Sequence, residues 1–530
     1  MPSTVSYASF NLKAPKTCPM TSKGSPCAPC TKTRQLEARI EKARKALDGL
    51  VEEHRALRTQ MNNLHDPLSN LLPPEISSSI FRACLPTMPH PYVCTDHDNA
   101  DGDAFTTPWT IAAVSQKWRR MAWSSPDLWS NIIVNADRPL SNQVDKVQHC
   151  LNSAGQLPLT IRVYAEKIQL DEYSHLYTII RLLNEQCSRW HTLDLRMPFS
   201  FLTDFCNTSQ PISNLQVLRL RCPSSSPLPA DIFSFRNSKP KPLEVNLQFV
   251  PFGSVDIDWS RPTRTTFRRI QVSECLALFK QAPALKECTL SDIFLGGEEI
   301  KDDVVMHHNL EKLVIKNSDK AMVALLSRVA FPGLKSLAFQ NFSSLSLSIV
   351  SSFLEDSSCH LRELVMARTG LVPGRLIPFL RGIPSLERLE LEPGAPLQIS
   401  ARYSPDKFFE ALGLTATWDN RCPSDPLLPN LHFLRYTQWS GSIDWKFVST
   451  IFGPVDCDPG EHSNRRPLRT VQIHVPEESL GGQYTYLDRN SVLLSLDILK
   501  SGLCLEIGDP KKGMDLIRKS LEHHGIEGAY

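Results

Sequence analysis

A short apolar pattern, apolar-x-x-apolar-x-apolar, returns along most of this 530-residue chain. Alternation over the last three positions predicts a short strand with its apolar side chains on one face. One such unit cannot bury its own apolar face, so the pattern predicts stacked units that share one core. The units are Trp190/Leu193/Leu195, Leu215/Leu218/Leu220, Leu285/Cys288/Leu290, Leu310/Leu313/Ile315, Leu334/Leu337/Phe339, Leu361/Leu364/Met366, Leu386/Leu389/Leu391, Leu431/Leu434/Tyr436 and Leu468/Val471/Ile473.

The spacing of these units is close to constant. The starts at 285, 310, 334, 361 and 386 are separated by 25, 24, 27 and 25 residues, within the period of about 20 to 29 residues typical of leucine-rich repeats. A looser match, Phe267/Ile270/Val272, lies in the longer interval before 285, and a proline-containing insertion is expected over 393–430. The sequence predicts an α/β fold with a leucine-rich-repeat-like solenoid over 157–510 and a C-terminal tail or capping helix over 511–530.

A heptad pattern precedes this region. Residues 1–32 predict a disordered tail, and residues 33–65 predict one long coiled-coil helix. Its seam alternates spacings of four and three, the mark of a coiled coil. The seam residues are Leu36, Ile40, Ala43, Leu47, Leu50, His54, Leu57, Met61 and Leu64. Two alternatives stay open: the helix pairs with a second copy as a homodimer, or it packs as a single amphipathic helix on its own domain.

Between the heptads and the repeats, residues 68–135 predict a compact set of short helices. The segments Leu72-Pro73-Pro74-Glu75-Ile76, Ile80-Phe81, Val114 to Arg119 and Pro126 to Trp129 occur in an order that resembles the F-box family. The resemblance covers about an eighth of the chain. A polar insertion over 86–107 departs from the usual link between the first two helices. Similar interrupted tracts followed by irregular leucine-rich regions are found in mushroom-forming fungi.

The resemblance implies a substrate-recognition adaptor of an SCF-type ubiquitin ligase, acting in ubiquitin-dependent protein degradation. An F-box docks on a Skp-type adaptor, which joins a cullin and a RING subunit. The alternative is a leucine-rich protein-binding scaffold with no connection to a ligase. The positions that match the docking surface are Leu72, Pro73, Ile76, Ile80, Phe81, Val114, Trp118, Leu128 and Trp129.

The repeats also predict where a target protein binds. In each unit the residues between the apolar positions point away from the core, and adjacent strands join them into one surface. The face is basic at Lys312 and Lys316 and acidic at Glu390 and Glu392, which suits a protein segment better than nucleic acid. The alternative is a site on the 393–430 insertion. The predicted target-binding residues are Lys312, Lys316, Gln340, Glu363, Arg388, Glu390 and Glu392, with Val314, Ser336, Ala338, Val365 and Ala367 on the same face.

The composition argues against binding to nucleic acid and against association with a membrane. The formal net charge is only +2, so no strongly basic surface indicates nucleic acid or a lipid surface. No run of about 18 apolar residues indicates a membrane span. The cysteines number 15, an odd count without a repeated spacing, which is typical of reduced thiols in the cytoplasm or nucleus.

The search for chemistry predicts neither catalysis nor a cofactor. No G-x-S-x-G or H-E-x-x-H motif occurs, and the loop from Gly508 to Gly513 lacks the Lys and Ser/Thr that a phosphate loop requires. Cys27-x-x-Cys30 with Cys18 offers three thiolates rather than a four-ligand zinc set. The acidic insertion, with Asp96 and Asp98, lacks the ligand spacing of a calcium loop. We therefore expect a protein without catalytic residues or a metal site.

Overall fold

In the computed structural model the chain divides into two compact units, Met1–Trp129 and Ser130–Tyr530. It is a mixed α/β protein with a long N-terminal helix and a large sheet. The described residues are 27–85, 107–136, 139–166, 172–206, 211–224, 232–235, 238–297, 303–370, 374–394, 405–419, 426–437, 443–453, 463–475 and 486–526. Most of the expected tail 1–32, and all of the 86–107 insertion except Thr107, lie outside them.

The first unit is helical. Most of its helices begin with a proline, a small polar residue or both. Proline suits the first turn because the N–H that it lacks would have no partner within the helix, and the polar cap side chain accepts a hydrogen bond from a backbone N–H of that turn. Thr107 caps one helix through the Thr110 N–H, and Ser115 caps the next through the Trp118 N–H. Its helices are α1 (Ala28–His65), α2 (Pro67–Leu71), α3 (Pro74–Cys84), α4 (Pro108–Ala112), α5 (Gln116–Trp123) and α6 (Pro126–Trp129).

Helix α1 differs from its prediction in two respects. It begins at Ala28 rather than at 33, with Pro29 in the first turn, a position where proline supports a helix start. Its heptad seam is also exposed: Leu47 and Leu50 keep 60% and 63% of their surface open to solvent. Within the described residues the seam is not covered, and its pairing with a second copy stays a prediction.

The second unit is built on a 15-stranded sheet in which strand order follows chain order. The first fourteen strands are parallel, and a two-residue strand, β15 (Met514–Asp515), pairs antiparallel with the last of them. The parallel strands are β1 (Asn131–Asn135), β2 (Leu159–Tyr164), β3 (Trp190–Arg196), β4 (Val217–Arg221), β5 (Glu244–Gln248), β6 (Arg264–Arg268), β7 (Glu287–Ser291), β8 (Lys312–Lys316), β9 (Ser336–Phe342), β10 (Glu363–Thr369), β11 (Arg388–Pro393), β12 (Phe433–Thr437), β13 (Thr470–His474) and β14 (Cys504–Asp509).

Helices occupy many of the connections, because a parallel pair needs a crossover. They are α7 (Gln143–Ser153), α8 (Tyr173–Asn184), α9 (Phe199–Leu202), α10 (Val272–Gln281), α11 (Asp319–Leu326), α12 (Leu347–Ser357), α13 (Leu376–Arg381), α14 (Asp406–Leu414), α15 (Trp445–Thr450), α16 (Arg489–Lys500) and α17 (Leu516–His524). Short strand pairs join Phe233–Ser234 to Val255–Asp256, Val305–Met306 to Val329–Ala330, and Thr417–Asp419 to Ser463–Arg465.

The core of the sheet consists of two continuous rows of side chains. The second and fourth residues of the five-residue register are buried in all fourteen parallel strands. In the middle of the sheet Leu313 lies beside Cys288 and Leu337, and Ile315 lies beside Leu290 and Phe339. These are the last two apolar positions of the repeated sequence pattern. Its strand assignment is therefore confirmed for every unit named from Trp190 to Ile473.

Three boundaries need correction. The helical tract was expected to reach 135 and the repeats to begin at 157, but Asn131–Asn135 already forms β1 and pairs with β2. In the looser match Phe267/Ile270/Val272, only Phe267 lies in a strand, because Val272 begins α10. The buried pair of β6 is Thr265 and Phe267, and the threonine interrupts the apolar pattern.

Candidate functional site

The helical module formed by α2–α6 has an aromatic core. The rings of Phe81 and Trp118 lie 4.9 Å apart, and Trp109 meets Trp129 edge to face at 5.0 Å. The indole Nε1 of Trp129 donates to the Ala122 carbonyl at 2.8 Å. The core orders the module around α5, which packs on α3 and α6.

The nine predicted adaptor-contact residues separate into three groups. Phe81, Leu128 and Trp129 are buried and serve the module's own core. Ile80 and Trp118 are half-buried. The residues that present surface are Leu72, Pro73, Ile76 and Val114. The sequence placed all nine in one module but did not separate contact residues from core residues.

Two exposed side chains of the same module escaped the sequence analysis. Leu71 is 78% exposed and Trp123 is 53% exposed, compared with 49% for Ile76. Lys117 Nζ donates to Asn70 Oδ1 at 2.6 Å, which ties the start of α5 to α2 next to Leu71. We call Leu71, Leu72, Ile76, Val114 and Trp123 the apolar patch. Large exposed apolar side chains on a small folded module are typical of a protein-binding surface.

The outward face of the sheet carries the first, third and fifth residues of each register. All seven predicted target-binding residues lie there, each half-buried between its neighbours. Two of the residues predicted to lie open on this face do not: Val314 and Ala338 are only 4% and 5% exposed. They sit side by side in register on β8 and β9. Because parallel strands are only about 4.8 Å apart, small side chains in a middle row cover one another.

An ionic cluster crosses β11 to β14 on this face. Glu390 accepts from Arg388 Nε at 2.9 Å and from Arg435 Nη1 at 3.0 Å. Arg435 also donates to Gln472 Oε1 at 2.7 and 2.9 Å, and Gln472 donates to Glu506 at 2.8 Å. We call Arg388, Glu390, Arg435, Gln472 and Glu506 the ionic cluster. Alternating charges hold its arginines and carboxylates in fixed positions on the surface.

Further contacts extend this cluster. Arg388 lies 3.3 Å from Glu363 Oε1 and stacks over the Phe433 ring, its guanidinium carbon 3.7 Å from the centroid. His474 lies at the fifth position of β13, where burial and then Arg435 lower its pKa. Glu392, the outermost predicted acidic residue, pairs with Arg368 at 3.3 Å. The predicted acidic positions therefore belong to ion pairs.

A basic row occupies the fifth position of the earlier strands. Arg196 and Arg221 are neighbours on β3 and β4, whereas Gln248 on β5 separates them from Arg268 on β6, and Ser291 on β7 separates Arg268 from Lys316 on β8. Arg268 pairs with Asp292 at 2.9 Å, and Arg221 lies 3.6 Å from Glu166. The sequence analysis named only Lys316 of this row. The alternation around Leu195 and Leu220 could have identified Arg196 and Arg221.

A groove of about 700 Å³ opens at the N-terminal ends of β3 to β6. Its lining includes His191, Gln216, Glu244 and Arg264. Glu244 accepts from Arg219 at 2.6 Å and lies 3.6 Å from Arg264. Polar side chains already paired with one another line this part of the face.

The described part of the 393–430 insertion is held by one buried arginine. Arg466 donates to the carbonyl groups of Leu412, Thr415, Leu427 and Leu428 at 2.6 to 3.1 Å. It is 2% exposed, and burial lowers its pKa to about 10. The alternative target site was expected on the whole 393–430 insertion, of which residues 395–404 and 420–425 are outside the described residues.

The thiols and acids within the described ranges form no metal cluster. Among these residues no group of three or more His, Cys, Asp and Glu side chains could hold an ion; Cys18, His90 and Asp96 lie outside them. Burial raises the pKa of the Cys150, Cys222 and Cys288 thiols to about 12. These three cysteines are therefore thiols rather than nucleophilic thiolates at neutral pH.

Among the helices of the described chain, none combines the length and the apolar character needed to cross a bilayer. No protein-family model matches the chain, and no curated protein matches it significantly.

Proposed function

We propose that this chain is a non-catalytic substrate adaptor of an SCF-type ubiquitin ligase. The helical module would act as an F-box that docks on a Skp-type adaptor and, through it, a cullin. The parallel strands would form a leucine-rich-repeat-like solenoid that holds a target protein. The target is brought close to the ligase, and the chain itself makes or breaks no bond.

The observation that carries the proposal is the apolar patch. It lies on α2–α5, in the segments whose sequence resembles an F-box, and it includes the predicted contacts Leu72, Ile76 and Val114. Each would lose exposed apolar area against a partner, at about 25 cal/mol per Å². Leu71 and Trp123 add two further exposed apolar side chains on the same module. Phe81, Leu128 and Trp129 act indirectly in this proposal, by holding the helices that present it.

Repeated details support the repeat proposal for the second unit. Asn214, Asn309 and Asn430 each lie three residues before a strand register begins, and each donates its side-chain amide to a carbonyl preceding the neighbouring strand, at 2.9 to 3.0 Å. The residue after the fifth register position has a positive φ in six successive strands, namely Phe249, Arg269, Asp292, Asn317, Asn341 and Arg368. Residues at equivalent positions of different units therefore make the same hydrogen bond or adopt the same backbone conformation.

The buried thiols support the proposed compartment. Cys150, Cys222, Cys275 and Cys288 are buried thiols outside any disulfide. Such thiols are typical of a reducing compartment, which supports a place in the cytoplasm or nucleus.

A leucine-rich scaffold without a ligase is the second candidate. The burial of Phe81, Leu128 and Trp129 favours it, because one third of the nine predicted contacts cannot reach a partner in this conformation. The two candidates differ in one measurable property, namely direct binding to a Skp-type adaptor.

The test is a binding measurement between the purified full chain and a purified Skp-type adaptor at micromolar concentrations. Leu72→Asp with Ile76→Asp should weaken binding at least tenfold, since a lost interface anchor costs about 2 kcal/mol or more. Both side chains are exposed, so the fold should be retained. Ala38→Asp with Thr59→Asp, on α1, adds the same charge to the same unit and should bind like the parent. A folded parent chain that does not bind the adaptor would support the scaffold instead.

A further inference from the structure

The seam of α1 is an uncovered apolar surface. Seven large side chains of the seam are 49% to 70% exposed: Leu36, Ile40, Leu47, Leu50, Leu57, Met61 and Leu64. The helix is 38 residues long, and within the described residues no segment covers this stripe. A continuous apolar stripe of this length on a soluble helix marks an interaction site. It lies outside the surfaces used in the proposed function.

We propose that α1 pairs with α1 of a second copy as an antiparallel two-stranded coiled coil. In the heptad, Ile40, Leu47, His54 and Met61 occupy the a positions. The d positions hold Leu36, Ala43, Leu50, Leu57 and Leu64. Antiparallel helices place each a residue opposite a d residue, whereas parallel helices place like opposite like. The residues at these positions distinguish the two orientations.

Side-chain volume favours the antiparallel pairing. With Leu47 opposite Leu50 of the second copy, Ile40 faces Leu57 and Met61 faces Leu36. His54 and Ala43 are the two seam residues that are not large and apolar. In this pairing the bulky polar His54 lies opposite the small Ala43. A parallel pair would instead set Ala43 against Ala43, leaving a gap, and His54 against His54, crowding two polar rings. The gap and the crowding are both unfavourable, because side chains in protein interiors pack about as densely as molecules in organic crystals.

Charge beside the seam favours one register of the antiparallel pair. It brings Glu37 next to Arg58 of the second copy, twice by symmetry. A parallel pair would bring Arg39 next to Arg44 but also Lys32 next to Glu37 and Glu53 next to Arg58, so the orientation rests on side-chain volume and the register on charge. Shifting the antiparallel register by one heptad would oppose Arg44 with Arg44 in one direction, or Glu53 with Glu53 in the other. Like charges in these flanking positions are destabilising.

The extent of the contact suffices for a stable dimer. In this register residues 32–65 of the two copies overlap, a length of about 50 Å at 1.5 Å per residue. If each large seam side chain buries on the order of 100 Å², the two helices together remove on the order of 1,400 Å² of apolar surface from water. Specific stable interfaces bury about 1,200 to 2,000 Å².

The dimer is tested by sedimentation equilibrium of the full chain at tens of micromolar. The parent should have the mass of two chains, and Leu47→Asp with Leu50→Asp should have the mass of one. Ala38→Asp with Thr59→Asp, on the opposite face of α1, adds the same two charges and should remain a dimer. Far-ultraviolet circular dichroism checks that the variants keep the sheet. A parent with the mass of one chain would overturn the proposal.

The orientation is tested by a charge swap. Glu37→Arg alone creates two like-charge contacts with Arg58 and should raise the dimer dissociation constant by roughly tenfold. Adding Arg58→Glu restores both pairs in the antiparallel dimer, so dimerisation should recover. In a parallel dimer the double variant would set the introduced arginine beside Lys32 and the introduced glutamate beside Glu53, and would stay weak. A double variant that dimerises no better than the single one would overturn the antiparallel arrangement, and neither result depends on binding to an adaptor.

Discussion

The indole Nε1 of Trp118 donates a hydrogen bond to Asp66 Oδ2 at 2.7 Å. Asp66 ends α1, and Trp118 lies in α5, where its ring packs on Phe81. One charge-assisted hydrogen bond thus joins the C-terminal end of the long helix to the core of the helical module. Hydrogen bonds to an ionised group are among the stronger ones in proteins.

We expect Trp118→Phe to lower the free energy of unfolding by about 1 to 2 kcal/mol, because it removes the donor while it keeps an aromatic ring against Phe81. Asp66→Asn retains a carbonyl acceptor and should cost less than Asp66→Ala. Urea unfolding followed by circular dichroism measures these differences. In a double-mutant cycle Trp118→Phe and Asp66→Ala should be non-additive; additive losses would show that the two side chains do not interact.

Arg466 should be a stability hotspot of the second unit. Arg466→Met removes the side-chain donor of four carbonyl groups, three of them in buried hydrogen bonds, and should cost about 3 kcal/mol or more. Arg466→Lys keeps a charge but offers three donors in place of the planar guanidinium, so it should recover only part of the loss. Arg469→Met, three residues away and exposed, should change stability by less than about 0.5 kcal/mol. Equal losses for Arg466→Met and Arg469→Met would refute the structural role.

The outward face can be tested for target binding by charge reversal. Lys312→Glu with Lys316→Glu should reduce capture of the target by roughly tenfold, because electrostatic complementarity guides such contacts. Lys280→Glu with Lys320→Glu, on α10 and α11, matches the charge change away from the face and should have no effect. The comparison uses quantitative co-purification of the proteins retained by the parent chain. Capture that survives the first pair but fails after deletion within 420–425 would place the site on the insertion.

His474 should contribute to the pH dependence of stability. Its pKa is lowered by burial and then by Arg435, while Glu506, Asp509 and Glu390 act in the opposite direction. The folded state therefore binds the proton less readily than the unfolded chain, whose histidines titrate near 6.5. The resulting stability is present above about pH 6.5 and is lost as the pH falls through the folded-state pKa.

We accordingly expect the Tm of the parent to fall more than that of His474→Gln between pH 7.5 and pH 5. Glutamine cannot be protonated in this range, so the difference between the two Tm shifts isolates the histidine. Differential scanning calorimetry at both pH values measures it. Identical shifts in the two proteins would mean that His474 is equally basic in the folded and unfolded states.

The sequence pattern identified most of the sheet but not its beginning. Trp129/Ile132/Val134 has the same apolar spacing as the later units, yet the tract resembling an F-box extends across it, and the strand was assigned to the helical region. Proline at 158, 242 and 262, where other units have leucine, obscured β2, β5 and β6. In each case the inward residues of the strand are buried all the same. Each of these strands therefore contributes two buried side chains to the core although proline stands in place of the leucine.

The candidate surfaces were predicted less completely than the fold. Leu72, Ile76 and Val114 were named from the sequence, but so were the core residues Phe81, Leu128 and Trp129, because both groups share one apolar pattern. Glu390 was expected on an open acidic surface, whereas Arg388 and Arg435 surround it. Arg466 was not singled out at all. Its acceptors are backbone carbonyls, which leave no mark in the sequence.

The sequence by itself determined the periodicity: the alternation that buries two rows along the strands of the nine named units, the heptad seam of α1, and the helix starts marked by proline and threonine. These follow from local geometry, because side-chain direction repeats every two residues in a strand and about every 3.6 in a helix. Tertiary structure alone decided which apolar residues stay exposed and which charges meet. Pairs such as Arg435 with Glu390, or Trp118 with Asp66, join residues 45 and 52 positions apart. Strand register and helix packing bring them together, and no local pattern encodes either.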